Sequence, residues 1–132
     1  MTAVYLTRHL PAAPEKVWAA LTRPEALATW FWPQRMTVTA LADARPAGSF
    51  RIEAATPPMA VSGFYIEVTP PQRLVFTWRW DGETSESLVT ITLTARDGGT
   101  TLDLVHERLA DAEVADHDQG WRDCLDRLPA FL

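Results

Sequence analysis

The feature that most constrains this chain is a run of six consecutive segments, from residue 35 onward, that alternate apolar and polar residues or are rich in β-branched ones. These segments are RMTVTALA, GSFRIEAA, VSGFYIEVT, RLVFTWRW, SLVTITLTAR and TTLDLVHERL, separated by clusters of Pro, Gly and Asp. A period of two is typical of strands that bury one face. DGG at 97–99 and TPPQR at 69–73 predict tight turns, so we expect an antiparallel meander.

One more strand and two helices are predicted ahead of these six strands. Residues 3–10 are rich in apolar and β-branched residues and are expected to form the first strand. APEKVWAALT carries a proline and a glutamate in the favoured first turn of a helix. TRPEALATW has Thr22 and Glu25 at the spacing of a capping box, which predicts a second short helix.

The C-terminal residues return to helical spacing. Pro129 is expected to end this last helix. The whole pattern predicts an α+β fold in one domain, residues 1–132, in which a curved antiparallel sheet of about seven strands wraps around a long C-terminal helix. The helix is expected to face the sheet with one stripe, formed by Val114, His117, Trp121, Leu125 and Leu128, with Cys124 beside it.

Composition and charge exclude several classes of protein. The 132 residues include 17 acidic and 12 basic ones, and the arginines are scattered, so the basic patch of a nucleic-acid-binding protein is missing. No stretch approaches the roughly 18 to 20 apolar residues that span a bilayer, and the N-terminus lacks the pattern of a signal peptide. We therefore expect a cytoplasmic protein with no nucleic-acid partner and no membrane insertion.

The strand LVFTWRW places Phe76, Trp78 and Trp80 on one face. Its other face carries polar residues, so the aromatic face is expected to point into the core. The same alternation predicts further inward residues on the neighbouring strands, namely Phe64, Ile66, Val68, Val89, Ile91, Leu93, Leu102, Leu104 and His106.

The inward tryptophans permit two interpretations. In the first, Trp78, Trp80 and Trp121 line a pocket for an apolar or planar ligand. Trp30 and Trp32 would then lie near its mouth. In the second, the tryptophans only fill the core of a small protein. The candidate ligand-binding residues are Trp30, Trp32, Phe64, Phe76, Trp78, Trp80, His106, His117, Trp121 and Leu125.

Histidine and cysteine residues leave catalysis open and predict no metal site. His106 and His117 are expected to face one cavity from opposite walls, where histidine can act as an acid or base near neutral pH. Each can equally be a hydrogen-bonded core residue. Two histidines without a third ligand make no recognisable zinc site, and Cys124, the only cysteine, is expected to be a small buried residue. No metal and no cofactor are expected.

Gly120 stands directly before Trp121 inside the predicted C-terminal helix. Glycine is costly in the interior of a helix, because its backbone loses more freedom on folding than that of any other residue. We therefore expect another backbone or a ligand to approach closely at Gly120.

Five segments, taken in order, resemble the START-like SRPBCC superfamily: APEKVWAALTRPEALATWFWP, GSFRIE, GFYIEVTPPQRLVFTWRW, SLVTITLTARDGGTTLDLVHERL and HDQGWRDCLDRL. Within it, the chain resembles bacterial stand-alone members of the family named for the C-terminal domain of the heat-shock-protein-90 ATPase activator. The resemblance implies a helix-grip fold, in which the sheet grips the last helix over a hydrophobic cavity. It implies little about chemistry, because fold does not determine function.

Three functions are compatible with these observations. The first is the binding of a small hydrophobic or aromatic molecule without catalysis. The second is an enzyme that resembles polyketide cyclases, with His106 or His117 as general base. The third is an interaction module that modulates a chaperone ATPase, but the eukaryotic activator has an additional N-terminal domain without a counterpart here, so a chaperone partner is not expected. Whether the protein is a monomer or a homodimer stays open.

Overall fold

The computed structural model describes residues 2–132, and its elements follow the predicted order. Three-residue 3-10 turns at Gln34–Met36 and Asp111–Glu113 precede the second strand and the last helix. All seven predicted strands and all three predicted helices are present, which confirms the α+β fold. Their bounds are β1 (Thr2–Leu10), α1 (Pro14–Thr22), α2 (Pro24–Trp30), β2 (Val38–Ala42), β3 (Ser49–Ala55), β4 (Pro58–Thr69), β5 (Arg73–Trp80), β6 (Ser87–Arg96), β7 (Gly99–Leu109) and α3 (Val114–Phe131).

The seven strands form one antiparallel sheet in the order β1-β7-β6-β5-β4-β3-β2. The predicted turn between β6 and β7 is confirmed, since Asp97 and Gly98 both have positive φ angles, of 51° and 78°. A turn with two positive φ angles matches the right-handed twist of the strands it joins. Because β1 and β2 are the two edges of the sheet, α1 and α2 connect its opposite sides.

The inner face of the sheet packs against α3. Burial of the large apolar side chains between sheet and helix stabilises the fold by about 1.5–3 kcal/mol for each side chain and holds α3 against the curved sheet. The predicted inward faces of β6 and β7 and the predicted stripe of α3 are confirmed. The fully buried residues among them are Val89, Ile91, Leu93, Leu102, Leu104, His106, Trp121, Leu125 and Leu128.

The prediction that Phe64 and Ile66 point inward is wrong. Their side chains are 55% and 56% exposed on the outer face of the sheet, while Tyr65 between them is buried. A register shift between Tyr65 and Glu67 adds one residue to β4. Such a bulge reverses the alternation of side chains, so only Val68, beyond the bulge, packs against the core as predicted.

The predicted capping box at Thr22 and Glu25 is also wrong. α1 extends through Thr22, and the Thr22 hydroxyl donates to the backbone carbonyl of Trp18 at 2.8 Å. Threonine competes for such carbonyls when it lies inside a helix. Arg23 therefore stands between the two helices, and α2 begins at Pro24 without a side-chain cap.

The prediction that Pro129 ends α3 is wrong, since the helix continues to Phe131. Proline removes only one backbone donor, and the amide of Leu132 still donates to the carbonyl of Leu128 at 3.2 Å. The missing bond is the one to the carbonyl of Leu125, and the helix continues past this single gap. Within residues 2–132, α3 and the shorter helices all lack the length and apolar character needed to cross a bilayer.

Candidate ligand-binding cavity

A cavity of about 350 Å³ lies between the N-terminal half of α3, the end of β5 and the segment that follows α2. Small-molecule sites typically measure roughly 300–1,000 Å³. The space deeper in the core, next to Phe76, measures only about 30 Å³. The cavity is therefore at one end of α3 rather than along its whole length. Its lining residues are Phe31, Trp32, Trp78, Trp80, Glu83, Ala112, Glu113, Asp116, His117, Gly120, Trp121 and Cys124.

Five aromatic residues form one side of the cavity, which we call the aromatic wall: Phe31, Trp32, Trp78, Trp80 and Trp121. Trp32 and Trp80 are nearly parallel, at 8°, with ring centroids 6.0 Å apart. Trp78 meets Trp80 edge to face at 5.5 Å and tilts against Trp121 at 5.1 Å. Offset and edge-to-face pairs of this kind add about 0.5–1.5 kcal/mol each beyond area burial, so the wall is expected to be rigid.

His117 holds Trp80 in place. The Trp80 indole Nε1–H donates to His117 Nε2 at 3.1 Å, and His117 Nδ1 lies 2.7 Å from the carbonyl oxygen of Glu113. A carbonyl can only accept, so Nδ1 carries the proton and Nε2 accepts. Both nitrogens of the neutral ring are thus engaged in hydrogen bonds.

His106 holds Trp121 in the same way from the other side. Trp121 Nε1–H donates to His106 Nδ1 at 2.9 Å, which places the ring proton on Nε2, 2.7 Å from Ser87 Oγ. Ser87 in turn donates to the carbonyl of Trp78 at 3.3 Å. His106 is fully buried, and its ring meets that of His117 edge to face at 5.0 Å.

His106 should make stability depend on pH. Burial, and to a lesser extent His117, lowers the pKa of His106 from 6.5 to about 3. Below pH 6.5, His106 is therefore protonated in the unfolded chain but stays neutral in the folded one. The free energy of unfolding then falls as the pH falls, by up to about 1.4 kcal/mol per pH unit. We expect the free energy of unfolding to fall more steeply between pH 6.5 and about pH 5 in the native protein than in His106→Gln. Urea unfolding at several pH values measures both slopes, and equal slopes would contradict the assignment.

Trp78 differs from its neighbours in the aromatic wall. Its side chain is 5% exposed, and its indole Nε1–H has no hydrogen-bond partner among residues 2–132. Leaving a buried donor unpaired costs about 1–3 kcal/mol. Such exceptions in folded proteins require an explanation, which can be a ligand.

Five of the ten candidate residues line the cavity, namely Trp32, Trp78, Trp80, His117 and Trp121. Phe76 borders only the narrow inner space. Trp30, predicted at the mouth, is instead buried away from the cavity, with its indole donating to the carbonyl of Ala20 at 2.8 Å. His106 and Leu125 are buried behind the aromatic wall and do not line the cavity. Phe64 borders a depression of about 650 Å³ on the outer sheet face.

Sequence patterns did not single out five other lining residues, Phe31, Glu83, Ala112, Glu113 and Asp116. Phe31 lies between the two tryptophans of TWFWP, caps the C-terminal end of α2 and lines the cavity. Glu83, Glu113 and Asp116 reach it from a loop, a 3-10 turn and the first turn of α3. In the sequence, these three residues are marked only by their negative charge and by their position near the ends of predicted strands and helices.

Gly120 and Cys124 complete the α3 side of the cavity. A Cβ on Gly120 would meet nothing within 4 Å, so the predicted close approach of another backbone is wrong and the open space belongs to the cavity. Cys124 is buried, and its thiol donates to the carbonyl of Phe31 at 3.0 Å. Burial raises the pKa of Cys124 to about 12, so it is a protonated packing residue, in line with the sequence.

Residues 11–132 match the family described as Activator of Hsp90 ATPase homolog 1-like protein. No curated protein matches the chain. Among solved structures, protein CV1439 from Chromobacterium violaceum is 32% identical, with 97% of this chain and 94% of that one covered and a TM-score of 0.85.

Two further structures are similar over 98% of this chain. DynU16, a protein in the dynemicin biosynthetic locus, is 28% identical with a TM-score of 0.84, and 46% of its length is covered. This chain therefore spans about half of DynU16. CalU16 from Micromonospora echinospora is 26% identical with a TM-score of 0.80, and 74% of its length is covered.

Proposed function

Because this chain belongs to the family of Activator of Hsp90 ATPase homolog 1-like proteins, in the START-like SRPBCC superfamily, we propose that it binds a small aromatic or otherwise hydrophobic molecule. The site is the cavity beside the aromatic wall. Aromatic side chains offer large contact areas with little loss of conformational freedom, which suits them to flat ligands.

The observation that carries the proposal is the unpaired indole of Trp78. Trp80 and Trp121 on either side of it have histidine partners, whereas the Trp78 Nε1–H has none within residues 2–132. Neighbouring side chains cover this nitrogen, so a ligand with a carbonyl, ether or ring nitrogen acceptor would satisfy it after a small shift of the aromatic wall. We therefore expect the ligand to combine an aromatic surface with at least one acceptor.

An enzyme that uses an inward histidine as general base has less support. Both nitrogens of His106 and of His117 are occupied by hydrogen bonds within the protein. The lowered pKa of His106 also leaves its neutral ring a weak base. The two histidines are better explained as residues that position Trp80 and Trp121.

The proposal is tested with N-phenylnaphthylamine, a neutral aromatic dye whose emission rises in apolar surroundings. We expect saturable binding to the native protein and at least about tenfold weaker binding to Gly120→Phe, because the new ring would extend into the cavity from α3. The substitution should not unfold the protein, since almost any residue forms helix better than glycine.

Gly120→Ala is the matched control. It adds only a methyl group at the same position and is expected to stabilise α3 by about 0.5–1 kcal/mol while leaving most of the cavity open. Saturable binding that Gly120→Phe does not weaken would place the dye elsewhere. That result, or no binding to the native protein, would overturn the proposal.

A further inference from the structure

We propose that the ligand of this cavity is a cation, an aromatic or apolar amine rather than a fatty acid or another carboxylate. The inference rests on the proposed function and adds the charge of the ligand to it. It follows from the three acidic residues among those that line the cavity, which we call the acidic rim: Glu83, Glu113 and Asp116.

The carboxylates of the acidic rim have few partners inside the protein. None of the three forms a salt bridge with another of the residues 2–132. Glu113 accepts one hydrogen bond from the backbone amide of Ala110, at 2.9 Å, which still leaves its charge uncompensated. Three negative charges around one cavity repel an anion and attract a cation, and salt weakens this effect because Glu83 and Asp116 are exposed.

The aromatic wall also favours a cation over an anion. The face of a tryptophan ring attracts a cation within about 6 Å, with roughly 0.5–2 kcal/mol of stabilisation. The unpaired Nε1–H of buried Trp78 calls for an acceptor on the same ligand, apart from its ammonium group, because an ammonium can only donate. An aromatic amine can stack on the wall and place its ammonium group among the carboxylates.

The nearby arginines do not cancel the acidic rim. Arg127 donates to the backbone carbonyls of Trp30 and Phe31 and is not a lining residue. Arg108 shares an adjoining cleft of about 10 Å³ with Glu83 and Glu113, but it does not line the main cavity and forms no salt bridge with either glutamate. The cavity lining as a whole therefore contains three acidic residues and no lysine or arginine.

Three probes of nearly equal shape test this inference: naphthylmethylammonium, neutral naphthylmethanol and naphthylacetate. Calorimetric titration is expected to show the cation binding about tenfold tighter than naphthylacetate at low salt, with the ratio shrinking as salt is added. The double variant Glu83→Gln/Asp116→Asn should lower the ratio severalfold, with the remainder due to Glu113 and the aromatic wall. The control Glu15→Gln/Asp123→Asn removes the same number of negative charges at exposed positions outside the cavity, so the ratio should persist there.

The outcomes separate this inference from the proposed function. Equal affinities for all three probes, or tighter binding of naphthylacetate, would overturn the cationic ligand while leaving a hydrophobic binding site in place. A ratio that falls equally in Glu15→Gln/Asp123→Asn would show a general effect of net charge and would also overturn it. If neither these probes nor N-phenylnaphthylamine bind, both proposals fail.

Discussion

Replacing His106 by alanine is expected to lower the free energy of unfolding by about 4 kcal/mol. The substitution leaves the buried Trp121 indole N–H without a partner, at about 1–3 kcal/mol, and removes one of the two hydrogen bonds of Ser87, which still donates to the carbonyl of Trp78. It also leaves a hole beside Trp78, whose ring lies 5.5 Å from that of His106. Urea unfolding followed by tryptophan fluorescence measures the loss.

Two further variants test the cause. His106→Gln can still accept from Trp121 and donate to Ser87, so we expect it to lose no more than about half as much. His9→Ala removes an exposed histidine and should change stability by less than about 0.5 kcal/mol. If His106→Ala is as stable as His9→Ala, the hydrogen bonds around His106 do not stabilise the aromatic wall.

Replacing Gly63 by alanine is expected to cost about 3 kcal/mol, although it adds a single methyl group. The strands β4 and β5 approach so closely here that a Cβ on Gly63 would collide with the backbone carbonyl of Thr77, with its carbon at 2.7 Å. The Phe50 ring stands 2.8 Å away on the other side. Backbone cannot move aside as a flexible side chain can, so the sheet must distort.

The same methyl group at Gly120 provides the control. Its Cβ would meet nothing within 4 Å, so Gly120→Ala should raise the free energy of unfolding. Thermal unfolding of both variants gives the comparison directly. A Gly63→Ala protein as stable as the native one would show that β4 and β5 are farther apart than described.

The alternation of LVFTWRW predicted correctly that Phe76, Trp78 and Trp80 point inward, and the spacing around Trp121 predicted the buried stripe of α3. Both succeed because the side-chain direction along a strand or helix follows from local geometry. The same rule failed at Phe64, because the bulge in β4 depends on how that strand pairs with β5. Local periodicity carries no information about such an extra residue.

Which inward residues meet in space was beyond the sequence. Trp80 and His117 are 37 positions apart, and their bond exists only because the N-terminal half of α3 lies over the end of β5. The acidic rim combines a loop after β5 with the first turn of α3, so Glu83 and Asp116 could not be paired beforehand. The single-domain organisation and the cytoplasmic location stay predictions.

The sequence by itself determined the elements, the α+β class and a tryptophan-rich inner face, because periodicity and turn residues act over a few neighbouring positions. The helix-grip fold was implied by the resemblance to the SRPBCC superfamily. The tertiary structure alone decided that the interior beneath the sheet is packed and that the cavity lies at one end of α3. It also decided that two histidines hold two tryptophans while Trp78 keeps an unpaired N–H. Cavities and hydrogen-bond partners depend on how distant segments fill a shared volume, which no local pattern encodes.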